Sequence, residues 1–260
     1  MGGQDAESLV SKLKQLSIED KKKLIAVMLL TDGYIAIIRN HPKISYYGSD
    51  KILHDIFKYL INSTYNTSES NFYWRNFSTD YFKKENMNIY EDMYKLSSSF
   101  RSNSKESTVS FLFGLDRDIK ILAIQLAMAA EGSISISRRD TGTIRGDLAL
   151  ACTSPTMCNE WKKLFEEFNI HFKIKKNKLT STGLHGLQAI RQESIKNFYK
   201  NINFLPQSYA NRARRFKGKE KRNILKMYCD FIDNIAKEKF KTYTRWNNIT
   251  FWEKVCVGGQ

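Results

Sequence analysis

The chain has 260 residues, 42% hydrophobic and 27% charged. That composition suits a packed core and excludes disordered and fibrous classes. Its net charge of +15 and pI near 9.5 point to a polyanionic partner. No apolar run reaches the roughly 18–20 residues needed to span a bilayer, so no membrane association is expected. The N-terminal "MGGQDAESLVSKLKQL" lacks the charged-then-apolar layout of a signal peptide. The four cysteines, Cys152, Cys158, Cys229 and Cys256, show no C-x-x-C spacing, which argues against a zinc ribbon and for free thiols in an intracellular compartment.

The first helical run leads from Ser17 into "LIAVMLLTDGYIAIIR", Leu24 to Arg39. The apolar stretch ends in Asp32-Gly33, and a strand candidate, Tyr34–Arg39, follows. A turn at "NHPK" leads to a second strand, "KISYY". Then comes "SDKILHDIFKYLI", an amphipathic helix with Ser49 or Asp50 as its predicted cap. "SNFYWRNF" reads as strand, and "NIYEDMYKLSSSF" and "STVSFLFGL" as closing helical segments.

The plan then repeats. "LAIQLAMAAEGSISIS", Leu122 to Ser137, ends its helical part in Glu131-Gly132 and continues as "SISISRR", a polar turn "DTGT" and the strand "DLALAC". "SPTMCNEWKKLFEEFNI" opens on Ser154-Pro155, a helix-start signal. "HFKIKKNKLTST" reads as a hairpin turning at Asn177. "LHGLQAIRQESIKNFYKNI" and "KRNILKMYCDFIDNIAKEKF" read as helices. The expected fold is therefore α/β (α+β), with two pseudo-symmetric αββαββα lobes. The expected organisation is an N-terminal extension at 1–17, a first lobe at 18–115, and a second at 116–260 with a C-terminal helical extension. Residues 1–131 hold 17 Lys and Arg against 16 Asp and Glu, whereas 132–260 hold 25 against 11. The second half carries nearly all the excess charge.

Ala123, Ala127 and Ala130 recur at spacings of four and three, a face that lets a second helix approach closely. The earlier helix offers Ala26 and Thr31 beside Val27 and Leu30, a less small face. If the two helices pack side by side, Asp32 and Glu131 meet at two negative helix ends. They would repel there unless a cation lay between them. An oxygen-only pair with room for water and phosphate suits Mg²⁺ rather than zinc and fits metal-assisted phosphodiester hydrolysis. The four scattered histidines form no H-x-x-x-H pair, and there is no G-x-x-x-x-G-K-[ST] loop. A zinc nuclease and an ATP-driven motor are thus unsupported.

The paired segments resemble the two motifs of a single-chain LAGLIDADG homing endonuclease. "IAVMLLTDG" (Ile25–Gly33) and "IQLAMAAEG" (Ile124–Gly132) occupy the nine motif positions. The two acids lie 99 residues apart and the same strand–strand–helix sequel follows each. The first copy departs from the family's small residues at Val27 and Thr31. The resemblance implies a saddle of strands lying in the DNA major groove, with the two motif helices packed at the lobe interface. It implies a metal site at Asp32, Gly33, Glu131 and Gly132, cutting near the minor groove and short 3′ overhangs. It also places basic residues around the attacking water. Lys178 is the first candidate for that role, with Lys105 or a member of the 212–221 cluster as alternatives.

Alternation then separates core from DNA-facing positions. In "SISISRR", Ile134 and Ile136 face inward, and Ser133, Ser135, Ser137 and Arg139 outward. Phe172 and Ile174 likewise face inward, leaving Lys173 and Lys175, then Lys178, Thr180 and Thr182, outward. Arg145 and Asp147 join them as candidate base readers. The first lobe's matching set, Tyr34, Ala36, Ile38 and Asn40, is more apolar. Its weaker candidates are Lys43, Ser45, Tyr47 and Arg75. "NRARRFKGKEKR", Asn211 to Arg222, holds seven basic residues, among them Arg212, Arg214, Arg215 and Lys217, and suits phosphate contact.

The expectation is a monomeric endonuclease, intron-encoded, that cuts both strands of a long asymmetric DNA target. Mg²⁺ would be its cofactor, Mn²⁺ a substitute, and Ca²⁺ a support for binding without cutting. An RNA maturase acting on intron RNA and a non-cleaving DNA-binding regulator are the alternatives on the same scaffold. An intein host is not expected, because Met1 and the closing "VCVGGQ" lack splice-junction chemistry.

Overall fold

The computed structural model describes residues 2–38, 41–75, 78–81, 87–97, 107–138, 144–152, 154–176, 185–211 and 216–237. An N-terminal helix α1 (Gly2–Gln15) precedes α2 (Ile18–Asp32), which carries the first motif. Ser17 starts α2 by accepting a hydrogen bond from the Asp20 N–H at 3.1 Å. Strands β1 (Gly33–Ile38) and β2 (His41–Tyr47), helix α3 (Lys51–Tyr65), strands β3 (Phe72–Arg75) and β4 (Ser78–Tyr81), and α4 (Met87–Ser97) complete the first lobe.

The second lobe repeats the order. Helix α5 (Arg117–Ala130) carries the second motif and leads to β5 (Gly132–Arg138) and β6 (Ile144–Cys152). Then come α6 (Pro155–Glu166), β7 (Lys173–Lys176), β8 (His185–Ala189), α7 (Gln192–Asn201) and α8 (Lys221–Lys237). Each lobe has one antiparallel four-stranded sheet, ordered β1-β2-β4-β3 in the first and β5-β6-β8-β7 in the second. The matching orders bear out the doubled αββαββα plan.

The motif helices form the seam. Helix α2 packs on α5. Six successive residues of α2, Leu24 to Leu29, are buried, as are Ala123, Ile124, Ala127 and Met128 of α5. A helix buried on nearly every side sits at the centre of its molecule. Thr31 is accommodated by turning its hydroxyl back to the carbonyls of Met28 (2.9 Å) and Val27 (3.2 Å). It therefore needs no partner across the seam.

Two expectations are corrected, and a third holds in position only. Residues 185–189 form a strand rather than the start of a helix, because Leu187 and Ala189 alternate into the core while β8 pairs with both β6 and β7. "STVSFLFGL" contributes only a 3₁₀ turn at Ser110–Leu112, which buries Leu112. Asp50 occupies the N-cap position of α3 but makes no side-chain cap bond. By contrast, Ser154 caps α6 as expected, accepting from the Met157 N–H at 3.4 Å, with Pro155 behind it. Cys152, Cys158 and Cys229 are free and buried, as the spacing predicts. No described helix is long and apolar enough to cross a membrane.

Candidate active site

Helix α2 ends on Asp32, and Glu131 is the C-cap residue of α5, so each motif acid stands at the negative end of its helix. The following glycines are required by close approach. A Cβ on Gly33 would lie 2.3 Å from Leu29 Cα, and one on Gly132 would lie 2.4 Å from the Met128 carbonyl. The chain thus folds from helix into strand directly against the helix's last turn, and each acid stands at the end of one of the two packed motif helices. Glu131 is locked at its backbone, its N–H on the Ala127 carbonyl (2.9 Å) and its carbonyl on the Ala151 N–H (3.2 Å).

Asp32 and Glu131 line one cavity of about 780 Å³. Gly132, Ser133 and Asp50 also line it, as do two described lysines, Lys175 and Lys221. Three carboxylates against two lysines make this a locally acidic place on a basic protein. Among the described lining residues there is no imidazole or sulfur, so the donors are oxygens. Lys221 reaches the acids in an unusual way. It begins α8, the end of a helix where a cation is disfavoured, but its side chain extends to the opposite end of α5. There Nζ donates to the Ala129 carbonyl at 2.6 Å and to Met128 at 3.4 Å. Burial pushes the Lys221 ammonium down to about 8, and the charges of Asp50, Asp32 and Glu131 oppose that shift. Tyr46 is fully buried, and among the described residues its hydroxyl has no hydrogen-bond partner. Burial raises its pKa, and so do the charges of Asp32, Asp50 and Glu131.

The outward strand faces follow the predicted alternation most closely in the second lobe. Ser133, Ser135 and Ser137 are exposed, while Ile134 and Ile136 are buried. Lys173 and Lys175 are exposed on β7. Arg145 and Asp147 share that face of β6, joined at 3.7 Å, and Gln188 donates to the Asp147 carboxylate. In the first lobe Lys43 reaches Asp80 at 3.4 Å and Tyr47 is exposed, whereas Ser45 is fully buried. Arg75 lies on β3, in register with Ser78. Lys217 is exposed. Lys105, Arg139, Lys178, Thr180, Thr182, Arg212, Arg214 and Arg215 lie outside the described residues.

The structure thus brings Asp32 and Glu131 to one cavity and adds two groups that sequence reading did not single out. Lys221 was one unresolved member of a basic cluster, and Asp50 was read only as a helix cap. Their signal is tertiary, since it depends on a loop of the second lobe folding back over the seam.

Comparison with known proteins agrees with this architecture. Residues 120–203 match the family model of the LAGLIDADG-like domain. The LAGLIDADG homing endonuclease I-LtrWI, in a crystal structure bound to target DNA, superposes with a TM-score of 0.53 at 10% identity, covering 93% of this chain and 97% of its own. The LAGLIDADG meganuclease I-AabMI, bound to uncleaved DNA, gives 0.54 at 12% identity, covering 91% and 98%. Variants of the homing endonuclease I-DmoI give 0.50 at 12% identity, covering 72% and 91%. No curated protein matches the chain. The chain is therefore a two-lobed protein of the LAGLIDADG homing-endonuclease fold, with a LAGLIDADG-like domain in its second lobe.

Proposed function

We propose that the chain is a site-specific DNA endonuclease that cuts both strands of a long asymmetric duplex target, with Mg²⁺ held by Asp32 and Glu131. The observation that carries this is the meeting of two carboxylates, 99 residues apart in sequence, at one cavity by the ends of the packed motif helices. DNA-bound relatives of the same fold support the choice of substrate. In this reading residues 18–115 and 116–260 are the two lobes. The protein works as a monomer inside the cell, and an intron is its genetic home.

The donor set fits the ion. Among the described residues no three His, Cys, Asp or Glu form a closed metal cluster. Two carboxylates leave most of an octahedral shell to water and phosphate oxygens, as Mg²⁺ prefers. When bound, Mg²⁺ supplies Lewis acidity that lowers the pKa of water and steadies the departing oxygen. The chain's own part is positional and electrostatic. Asp32 and Glu131 fix the centre of the cut between the lobes. Gly33 and Gly132 let the strand backbones close against it. Lys221, its ammonium anchored on the α5 carbonyls, sets a pre-oriented positive charge beside the scissile phosphate, where negative charge builds in the transition state. Ser133, Ser135, Ser137, Arg145, Asp147, Lys173 and Lys175 read or grip the second half-site. Lys43, Tyr47 and Arg75 do so for the first, where the buried Ser45 takes no part, and Lys217 and its neighbours grip phosphate.

The test is cleavage of a randomised plasmid library by purified protein, with the ends sequenced. Discrete cuts at one long, non-palindromic sequence are expected in Mg²⁺ and Mn²⁺, with binding but no cutting in Ca²⁺ and none in EDTA. Glu131→Gln should abolish cleavage while binding survives. Undiminished cutting by that variant would sink the metal assignment, and binding without cutting by the wild type would favour a regulator.

A further inference from the structure

We infer that Asp50, from the first lobe, is a positioning residue that holds in place the second-lobe loop carrying Lys221. Its consequence for cleavage rests on the endonuclease reading above; its structural part stands apart from that reading.

An aspartate at a helix N-cap ordinarily spends its carboxylate on that helix's own amides. Asp50 does not. Its side chain is buried, 6% exposed, and turned toward the other lobe. Oδ2 accepts the Tyr209 N–H at 3.1 Å, and Oδ1 accepts from Asn211 Nδ2 at 3.4 Å. Asn211 also donates to the Ser49 hydroxyl, so two consecutive first-lobe residues grip the same loop.

The described parts of that loop, 208–211 and 216–221, bond to each other. Tyr209 bridges Glu220, the Ala210 N–H donates to the Lys219 carbonyl (2.9 Å), and the Gly218 N–H donates to Ala210 (3.2 Å). The Lys221 N–H donates to the Ser208 carbonyl at 2.8 Å. The peptide group joining Ser208 to Tyr209 is therefore held on both sides, its carbonyl by Lys221 and its N–H by Asp50. From there the Lys221 side chain runs to the last carbonyls of α5, two residues before Glu131. Of the carboxylates whose charge acts on Lys221, Asp50 acts most strongly.

A buried carboxylate is costly unless its oxygens are hydrogen-bonded. Asp50 meets that cost chiefly with donors of the other lobe, Tyr209 and Asn211, beside the Ser49 hydroxyl at 3.5 Å, and with none from its own helix. Removing it frees the loop, leaving the half-buried Tyr209 amide without this acceptor and Asn211 with the Ser49 hydroxyl alone. Asp50 also lies three residues beyond the end of β2, so a first-lobe strand and the second-lobe lysine are linked through it.

The test begins with brief acetylation of the intact protein, followed by mass spectrometry of lysine-bearing peptides. Lys120, paired with Glu167 at 2.7 Å far from this loop, serves as the reference. Asp50→Ala should raise Lys221 labelling about tenfold or more over wild type through local opening, with Lys120 unchanged. Unchanged Lys221 labelling would overturn the proposal. Should Lys120 labelling also rise in Asp50→Ala, the fold has been lost and Asp50→Asn, which keeps one acceptor, decides by the same criterion with a smaller rise expected.

Single-turnover cleavage supplies the second readout. Lys221→Met should slow cutting about 10²-fold, and Asp50→Ala/Lys221→Met should be no slower than Lys221→Met alone. Additive losses would mean that Asp50 acts elsewhere and would overturn its role through Lys221. A wild type that cuts no DNA removes the endonuclease reading and leaves the labelling result to decide the positioning.

Discussion

Gly132 and His54 show how single residues set shape and stability, the first at the seam and the second within the first lobe. At Gly132 an added methyl group would meet backbone and side-chain atoms of Met128 at once, within 3 Å. Gly132→Ala should therefore cost about 1–3 kcal/mol by overpacking, read as a lower urea midpoint. His54 is fully buried, with Nε2 at 3.0 Å from the Gly48 carbonyl and Nδ1 at 2.8 Å from Thr79 Oγ1. That pairing suits a neutral ring, one nitrogen donating and the other accepting. Burial lowers its pKa below the ordinary 6.5. Lys58 adds to that shift, while the Gly48 carbonyl, Asp55 and Asp50 oppose it. With the folded value below the unfolded one, the unfolded chain takes up the proton first. The His54 contribution is therefore complete above about pH 6.5 and lost as pH falls below it. Urea unfolding at pH 7 and pH 5 should show this loss, and His54→Gln should flatten the difference.

At the scale of elements, the seam between α2 and α5 was the most legible feature. Alanines at spacings of four and three announced a close helix contact, and Ala123 and Ala127 are indeed fully buried. Ala127→Leu should force the motif helices apart at a cost of about 1–3 kcal/mol. Circular dichroism melting would measure the loss, and cleavage should fall with it as the two acids separate. An unchanged melting temperature would mean the seam has slack. Strand β8 was illegible for a local reason. "HGLQA" offers only two apolar positions in alternation, Leu187 and Ala189, and runs almost directly into α7 at Gln192. Its strand character comes from pairing with β6 and β7 on either side, which no window of sequence contains. The N-cap position of Asp50 was legible, but its bonding was not. Its residue type suited the α3 N-terminus, but donors from a loop some 160 positions later took its carboxylate.

For the whole molecule, the one-sided charge is the main physical fact. The second lobe carries nearly all the excess of +15, and its sheet presents Ser133, Ser135, Ser137, Lys173 and Lys175 outward. If Lys173 and Lys175 each neutralise a phosphate, Lys173→Gln/Lys175→Gln should weaken DNA binding. It should also flatten the log affinity against log salt plot by roughly 0.9 per lost contact. Titration between low and moderate salt would measure this, and an unchanged slope would remove both from the interface.

Two apolar helices each closed by an acid and a glycine, strands alternating behind them, and the same order stated twice were fully determined by the chain read alone. Periodicity and capping are local properties, and repetition makes a weak pattern specific. Only the folded molecule decided which cation stands beside the acids. Lys221 is one of seven basic residues in a short run, 90 positions beyond Glu131. Nothing in that run distinguishes it until the loop closes over the seam, where a buried ammonium must find acceptors and the last carbonyls of α5 provide them.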